Sequence, residues 1–246
     1  GDDYVINGQK VWNSGAHRTD YGWLLARTAF DDAVPRHKSF SEFIVDMRTP
    51  GITVRPIVNM AGEADFNEVF LDNVRISCTC LVGEENRGFQ QIMAQMDYER
   101  TGLERLMQNF PVYEQLHRHL RGLPAGRRTG SEHAWIRDQT AQLEIEYRIG
   151  RAMCYHTAWL IDQGHKPSSP AAMCKAFCTQ YEQRLNDLAT RILGPVSQLR
   201  AGTPWAPLQI DLAGCYLWGP SYTLQGGSVE VLKNIIAHRG LGLPRA

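Results

Sequence analysis

FQQIMAQMDYERTGLERLMQNF, residues 89–110, sets the reading of the chain. Ile92, Met96, Leu103, Leu106 and Phe110 recur at helical spacing, and Glu99 fills the one remaining place in their 4,3,4,3,4 series. The pattern predicts a helix from about Phe89 to Leu120, with a carboxylate on its apolar face. An ionised carboxylate buried without partners costs several kcal/mol. Glu99 is therefore expected to meet a cation or hydrogen-bond donors, or to stand at a pocket wall with a raised pKa. A structural Glu paired with an Arg from a neighbouring helix satisfies the same pattern. Asp97 and Arg100 flank it, as groups that could orient a carboxylate or hold a polar part of a ligand. Such a cluster on a helix is also how a solvated face reads.

Upstream of Gly88 the apolar period is 2. Tyr4–Ile6 and Gln9–Trp12 flank Asn7-Gly8, which reads as a two-residue hairpin. Further short strands are expected at Trp23–Thr28, Glu42–Asp46, Ile52–Pro56, Asn67–Leu71 and Val74–Ser77, with breaks at Pro50-Gly51 and Asp72-Asn73. Downstream the period becomes 3.6. The polar connection RGLPAGRRTG (121–130) leads to a helix capped by Ser131, with Leu143, Tyr147, Cys154, Ala158 and Ile161 facing inward. A third helix runs from Pro170 to Leu193, stopped by Gly194-Pro195, and a last one starts near Ser228 and ends at Gly240–Pro244. The expected class is α+β: an antiparallel β domain over residues 1–86, then an antiparallel four-helix bundle over residues 87–246.

In 246 residues, 43% hydrophobic, there is enough apolar material for a packed core. Lys plus Arg and Asp plus Glu are 26 each, so no net field draws nucleic acid or an anionic membrane. No apolar run approaches the ~18 residues of a membrane span, and no N-terminal signal pattern is seen. Cys78-Thr-Cys80 lacks the spacing of a zinc half-site, and Cys174 and Cys178 stand one helical turn apart without a His or Cys close in sequence. The cysteines read as buried thiols of a reducing compartment, the cytoplasm or alternatively a mitochondrial matrix.

Two further stretches carry candidate chemistry. Trp12-Asn13-Ser14 sets a flat aromatic beside small hydrogen-bonding residues, which suits a planar heteroaromatic cofactor as well as it suits plain packing. Gly226-Gly227-Ser228 precedes the last helix, where glycines allow close backbone approach and free N–H groups meet a phosphate. A Ser N-cap after glycines is also an ordinary helix start.

Together these stretches resemble the flavin-dependent acyl-CoA dehydrogenases. YVINGQKVWNSGAHRTDYGWLLART (4–28) and PGITVRPIVNMAGEADFNEVFLDNVRI (50–76) look like that family's central β domain. KAFCTQYEQRLNDLATRILGP (175–195) looks like one of its bundle helices and QGGSVEVLKNIIAHRGLGLPR (225–245) like its C-terminal signature. The resemblance implies an N-terminal helical domain ahead of this chain, and FAD lying between β domain and bundle. It implies oxidation of the α,β bond of an acyl-CoA thioester, part of fatty acid and lipid metabolism. Trp12, Asn13 and Ser14 match the tripeptide along the flavin ring, Ser14 standing where Thr is commoner; Gly227 and Ser228 match the residues that approach FAD beside the last helix. The family's base occurs at two places: one corresponds to Gly226, which has no side chain to act, and the other to Glu99 in MDYERTG (96–102).

The implied mechanism has Glu99 take the α-proton while hydride passes to the flavin N5, an external acceptor such as electron-transferring flavoprotein completing the cycle. The implied assembly is a homodimer or homotetramer, or a heteromer with a subunit supplying the N-terminal domain. A base on the first bundle helix is compatible in the family with long, branched or ring-bearing acyl groups. The family's Arg-x-x-Phe-Gly segment is not recognisable in LRGLPAGRRTGSEH (120–133), which leaves Arg127 and Arg128 without a motif for contacting the adenosine end of FAD. The alternatives are a non-catalytic partner subunit and a flavin monooxygenase on the same fold.

Overall fold

The computed structural model describes residues 2–100, 108–124 and 131–244; the side chains of Asp97, Ser131 and Glu132 lie outside that description. By its contacts the chain divides into two units, Gly1–Gln95 and Met96–Ala246.

The first unit holds two three-stranded antiparallel sheets. One has the order β1-β5-β4, from Asp3–Ser14 (β1), Phe66–Ser77 (β5) and Ile52–Ile57 (β4). The other has the order β2-β3-β6, from Tyr21–Arg27 (β2), Phe40–Asp46 (β3) and Leu81–Val82 (β6). Ile6, Leu24, Phe43, Val45, Val69, Leu71, Val74 and Ile76 form their common core.

Asn7-Gly8 does not make a hairpin: β1 runs through it unbroken, and β5 runs unbroken through Asp72-Asn73. The two supposed turns face each other. Ile6 pairs with Val74 and Gly8 with Leu71, so Asn7 alone stands opposite Asp72 and Asn73, a β-bulge on β5. The Asn73 backbone N–H donates to Asn7 Oδ1 at 2.8 Å and Asn7 Nδ2 donates to Asn73 Oδ1 at 3.4 Å. The bulge changes the phase of β5. Asn67, Val69 and Leu71 point inward before it, Val74 and Ile76 after it. Without the extra residue Asn73 and Arg75 would face the core.

Helix α1 (Gly88–Glu99) starts against β3. A Cβ on Gly88 would meet Ser41 C at 2.8 Å and Glu42 N at 2.9 Å, so only glycine fits. One turn on, Gln91 Nε2 donates to the buried Glu42 carboxylate at 2.7 Å and to Val82 O at 3.0 Å.

The second unit contains α2 (Phe110–Gly122), α3 (Ser131–Asp162), α4 (Ser168–Leu193), α5 (Leu212–Tyr222) and α6 (Val229–Ile235), followed by a π turn at Ile236–Gly240. The predicted continuous helix to Leu120 is interrupted. Gln108 and Asn109 form a turn and α2 begins with Pro111 in its first turn, where a residue without an N–H opens a helix and does not continue one. Leu103 and Leu106, from the predicted stripe, lie outside the described residues.

α4 is the central helix, buried along nearly its whole length and stopped by Gly194 at φ 63°. The core gathers Val112 and Leu116 of α2, Leu143 and Cys154 of α3, Tyr181, Leu185 and Leu188 of α4, and Leu212 of α5. On α3 Thr157 is buried and Ala158 exposed, a shift of one from the predicted face; the Thr157 hydroxyl is satisfied by the Met153 carbonyl at 2.9 Å. α5 was not foreseen, because LAGCYLWGPSY is apolar all round and holds Pro220, leaving no period to read. No helix among the described residues is long and apolar enough to cross a membrane.

Candidate active site

Within the β unit, Trp12, Asn13 and Ser14 close β1 at a second bulge. Lys10 pairs with Val69 and Asn13 with Asn67, so Val11 and Trp12 together stand opposite Glu68. Trp12 takes φ 67°, a conformation that a bulky aromatic residue adopts only where its surroundings impose it. The residue is 64% exposed, and its ring meets that of Phe66 edge-on at 6.0 Å between centroids. The Asn13 carbonyl accepts from Asn67 Nδ2 at 2.9 Å, while Asn13 Oδ1 is buried with no partner. Asn67, fully buried, also bonds the Asp65 carbonyl and the His17 ring. Asn67 and His17 thus fix the backbone of the Trp12–Ser14 segment. The sequence reading missed both, since a buried Asn in a strand carries no local signal.

Within the helical unit, Glu99, Arg100, Lys175, Gly226 and Gly227 come together. Glu99 is exposed, contrary to the expectation of a core-facing carboxylate. Glu99 is the last residue of α1, and Phe110, the next described member of the stripe, belongs to a different helix. Its position is nevertheless specific. A Cβ built on Gly226 would lie 3.0 and 3.1 Å from the two Glu99 carboxylate oxygens and 3.2 Å from Lys175 Cε. The carboxylate of Glu99 occupies the space that a side chain at 226 would enter.

Arg100, expected to hold a ligand, is turned inward: 4% exposed, it donates from Nε to the Gly226 carbonyl at 2.9 Å and meets Met96 Sδ at 3.4 Å. Lys175, which the sequence reading did not single out, is fully buried and donates from Nζ to the Gly227 carbonyl at 2.9 Å and the Tyr222 carbonyl at 3.4 Å. Two successive carbonyls of the loop are thus drawn toward buried cations. In a trans peptide the N–H opposes the C=O, so the N–H groups of Gly227 and Ser228 point away from those cations. Gly226 and Gly227 hold this path at φ 66° and 108°.

The Ser228 hydroxyl caps α6 by accepting from Val231 N. Glu230, the other carboxylate near this loop, is held below the usual carboxylate range by its own backbone N–H and then by Ser228. That makes it a poorer base. Asp97, Arg127 and Arg128 were also singled out; the side chain of the first and both of the arginines lie outside the described residues.

The chain belongs to the acyl-CoA dehydrogenase family: residues 1–74 match the acyl-CoA dehydrogenase middle domain and residues 86–241 its C-terminal domain. It is 34% identical over its whole length to the acyl-CoA dehydrogenase IpdE1 of Mycobacterium tuberculosis, of which it covers 61%. Among solved structures it is similar to the Tcur3481-Tcur3483 steroid ACAD, with TM-score 0.89 and 27% identity, covering all of this chain and 62% of that one. It is also similar to a chain of the ChsE4-ChsE5 complex from Mycobacterium tuberculosis, with TM-score 0.83 and 29% identity, covering 100% of this chain and 63% of that one. The chain spans about three-fifths of the length of these relatives.

The residues present fit a flavin. In the β unit, Asn13 Oδ1 is an acceptor without a donor and Trp12 is exposed; in the helical unit, taken by itself, the N–H groups of Gly227 and Ser228 point away from the buried cations.

Proposed function

We propose that the chain carries the catalytic carboxylate of an FAD-dependent acyl-CoA dehydrogenase, with Glu99 as the base that takes the α-proton of the thioester. What supports this most is the pair of distances from the Glu99 oxygens to the point where a Gly226 side chain would begin. Both places from which a base could act are thereby served by one carboxylate, and Gly226 leaves it room. FAD, when bound, supplies the hydride acceptor for the β-hydrogen. The residues that would hold it are Trp12, Asn13 and Ser14 of the β unit and the backbone N–H groups of Gly227 and Ser228 of the helical unit. Arg100 and Lys175 keep that loop in place from the inside. Asp97 remains a candidate for substrate contact.

The substrate class proposed is a ring-bearing acyl-CoA, as the steroid named for one similar structure suggests. The working form proposed is a heteromer with a second chain of the same family, because both similar structures are named for two gene products.

The test is anaerobic reduction of the flavin-loaded protein, co-expressed with its partner chain, by a cyclic acyl-CoA. Glu99→Gln should retain the bound flavin and slow bleaching by on the order of 10²- to 10⁴-fold. Bleaching of the variant at the rate of the parent protein would refute the assignment of Glu99.

A further inference from the structure

Three of the six cysteines meet in the core of the helical unit. Cys154 on α3 and Cys174 on α4 approach to 3.4 Å between sulfurs, and Cys174 and Cys178 to 3.9 Å. All three sulfurs lie within 4.8 Å of one another, and their exposures are 3%, 0% and 0%. The proposed reaction uses none of them. Cys78 is exposed and Cys80 half-buried; Cys215, half-buried, packs against the same core but is not part of the three-sulfur group.

We propose that Cys154 and Cys174 are an oxidisable pair, forming a disulfide that ties α3 to α4, while Cys178 stays a thiol. The sulfurs need to close from 3.4 Å to about 2.05 Å. Cys154 and Cys174 stand on separate helices, which a small sliding movement brings together. Cys174 and Cys178 share one helical turn of α4, and drawing them together bends that helix. Hydrogen bonds from the Cys174 thiol, and then from Cys178, hold the Cys154 thiol below the ordinary range, which makes Cys154 the first to react.

A metal is the poorer occupant. Three thiolates around a divalent ion leave net negative charge among Leu143, Tyr181 and Leu185, and among the described residues no fourth His, Cys, Asp or Glu joins the cluster. A disulfide is neutral and costs no desolvation of charge.

The oxidant proposed is a hydroperoxide, small and uncharged enough to enter a core. The Cys154 thiolate attacks one peroxide oxygen; the O–O bond breaks and the leaving hydroxide takes a proton to become water. The Cys174 sulfur then attacks the resulting sulfenic acid; the S–O bond breaks and its hydroxide leaves as water with the Cys174 proton. Two thiols are oxidised by two electrons, and one hydrogen peroxide is reduced to two waters.

The experiment treats the full folded chain with hydrogen peroxide, alkylates remaining thiols under denaturing conditions and digests without reduction. Trypsin leaves Lys166-Pro167 intact, so Cys154 and Cys174 fall in one peptide, 152–175, and Cys178 in another, 176–184. The expected result is a peptide 152–175 lighter by two hydrogens and not alkylated, with peptide 176–184 alkylated, and dithiothreitol reversing the change. Cys178→Ala should leave this product in place, while Cys154→Ala and Cys174→Ala should each abolish it. Full alkylation of 152–175 after treatment would overturn the proposal, as would a cross-link between the two peptides. So would a stoichiometric metal in the untreated chain that is lost in Cys154→Ala.

Discussion

The ladder between β1 and β5 is interrupted twice, and the two interruptions are completed differently. At the first, Asn7 faces Asp72 and Asn73, and side-chain hydrogen bonds pair the polar groups: Asn7 bonds Asn73 twice and Asn73 Nδ2 bonds Asp72. The residue at φ 50° is Asn73, and Asn tolerates that conformation. At the second, the residue at φ 67° is Trp12, its ring left exposed, and Asn13 Oδ1 is left without a donor. A bulge that satisfies its own groups serves register. One that leaves strain, exposed aromatic surface and an orphaned acceptor does not serve register alone, and it is here that the proposed flavin contacts fall.

The contrast extends to the helical unit, and there the largest effect is expected. Gly226 and Gly164 both have positive φ, 66° and 77°, but a Cβ at 164 would meet nothing within 4 Å, whereas one at 226 would press on the Glu99 carboxylate. Gly226→Ala should slow flavin reduction by acyl-CoA on the order of 10²-fold, by displacing the base. Gly164→Ala should leave that rate unchanged and lower stability by about 1 kcal/mol. Equal rates in the two variants, followed by stopped-flow absorbance, would remove the distinction.

Next in size is Trp12→Gly, which should cut FAD affinity by on the order of tenfold. Glycine relieves roughly 1–2 kcal/mol of left-handed strain, which offsets the lost edge contact with Phe66 of about 1 kcal/mol. Denaturation of the variant should therefore stay close to that of the parent, while calorimetric titration with FAD shows the loss. Unchanged affinity would reduce Trp12 to a structural residue.

The smallest effect should come from Asn7→Ala, with the opposite pattern. Losing both bonds to Asn73 at an exposed site should cost on the order of 1 kcal/mol in chemical denaturation, with FAD affinity unaltered. A loss of affinity here would mean that the two bulges are coupled along β1.

Much of the element order was legible because burial imposes a period on each segment: β2, β3 and β4 start and end within a few residues of where the alternation placed them. Several misreadings share one origin. Asn7-Gly8 and Asp72-Asn73 each have the composition of a turn, and nothing local reveals that two such pairs will lie side by side and become a bulge. Likewise Cys174 and Cys178 have no sulfur close in sequence, and Cys154 joins them only because α3 packs against α4. Arg100 reads as a ligand contact beside Glu99 until the Gly226 carbonyl, more than a hundred residues away, is found to be its partner.

Residue type and spacing were enough to separate a β unit from a helical one, to put an acidic residue on the first helix, and to single out Trp12–Ser14 and Gly226–Ser228 as candidate cofactor backbone. These follow from local chemistry: side-chain period, glycine freedom and the type of group offered. Packing settled which way Glu99 faces, that Lys175 and Arg100 lie beneath the loop, and that Asn67 and His17 brace the indole segment. Each of those depends on a hydrogen bond or contact between residues far apart in sequence, and such pairings exist only once the chain has closed on itself.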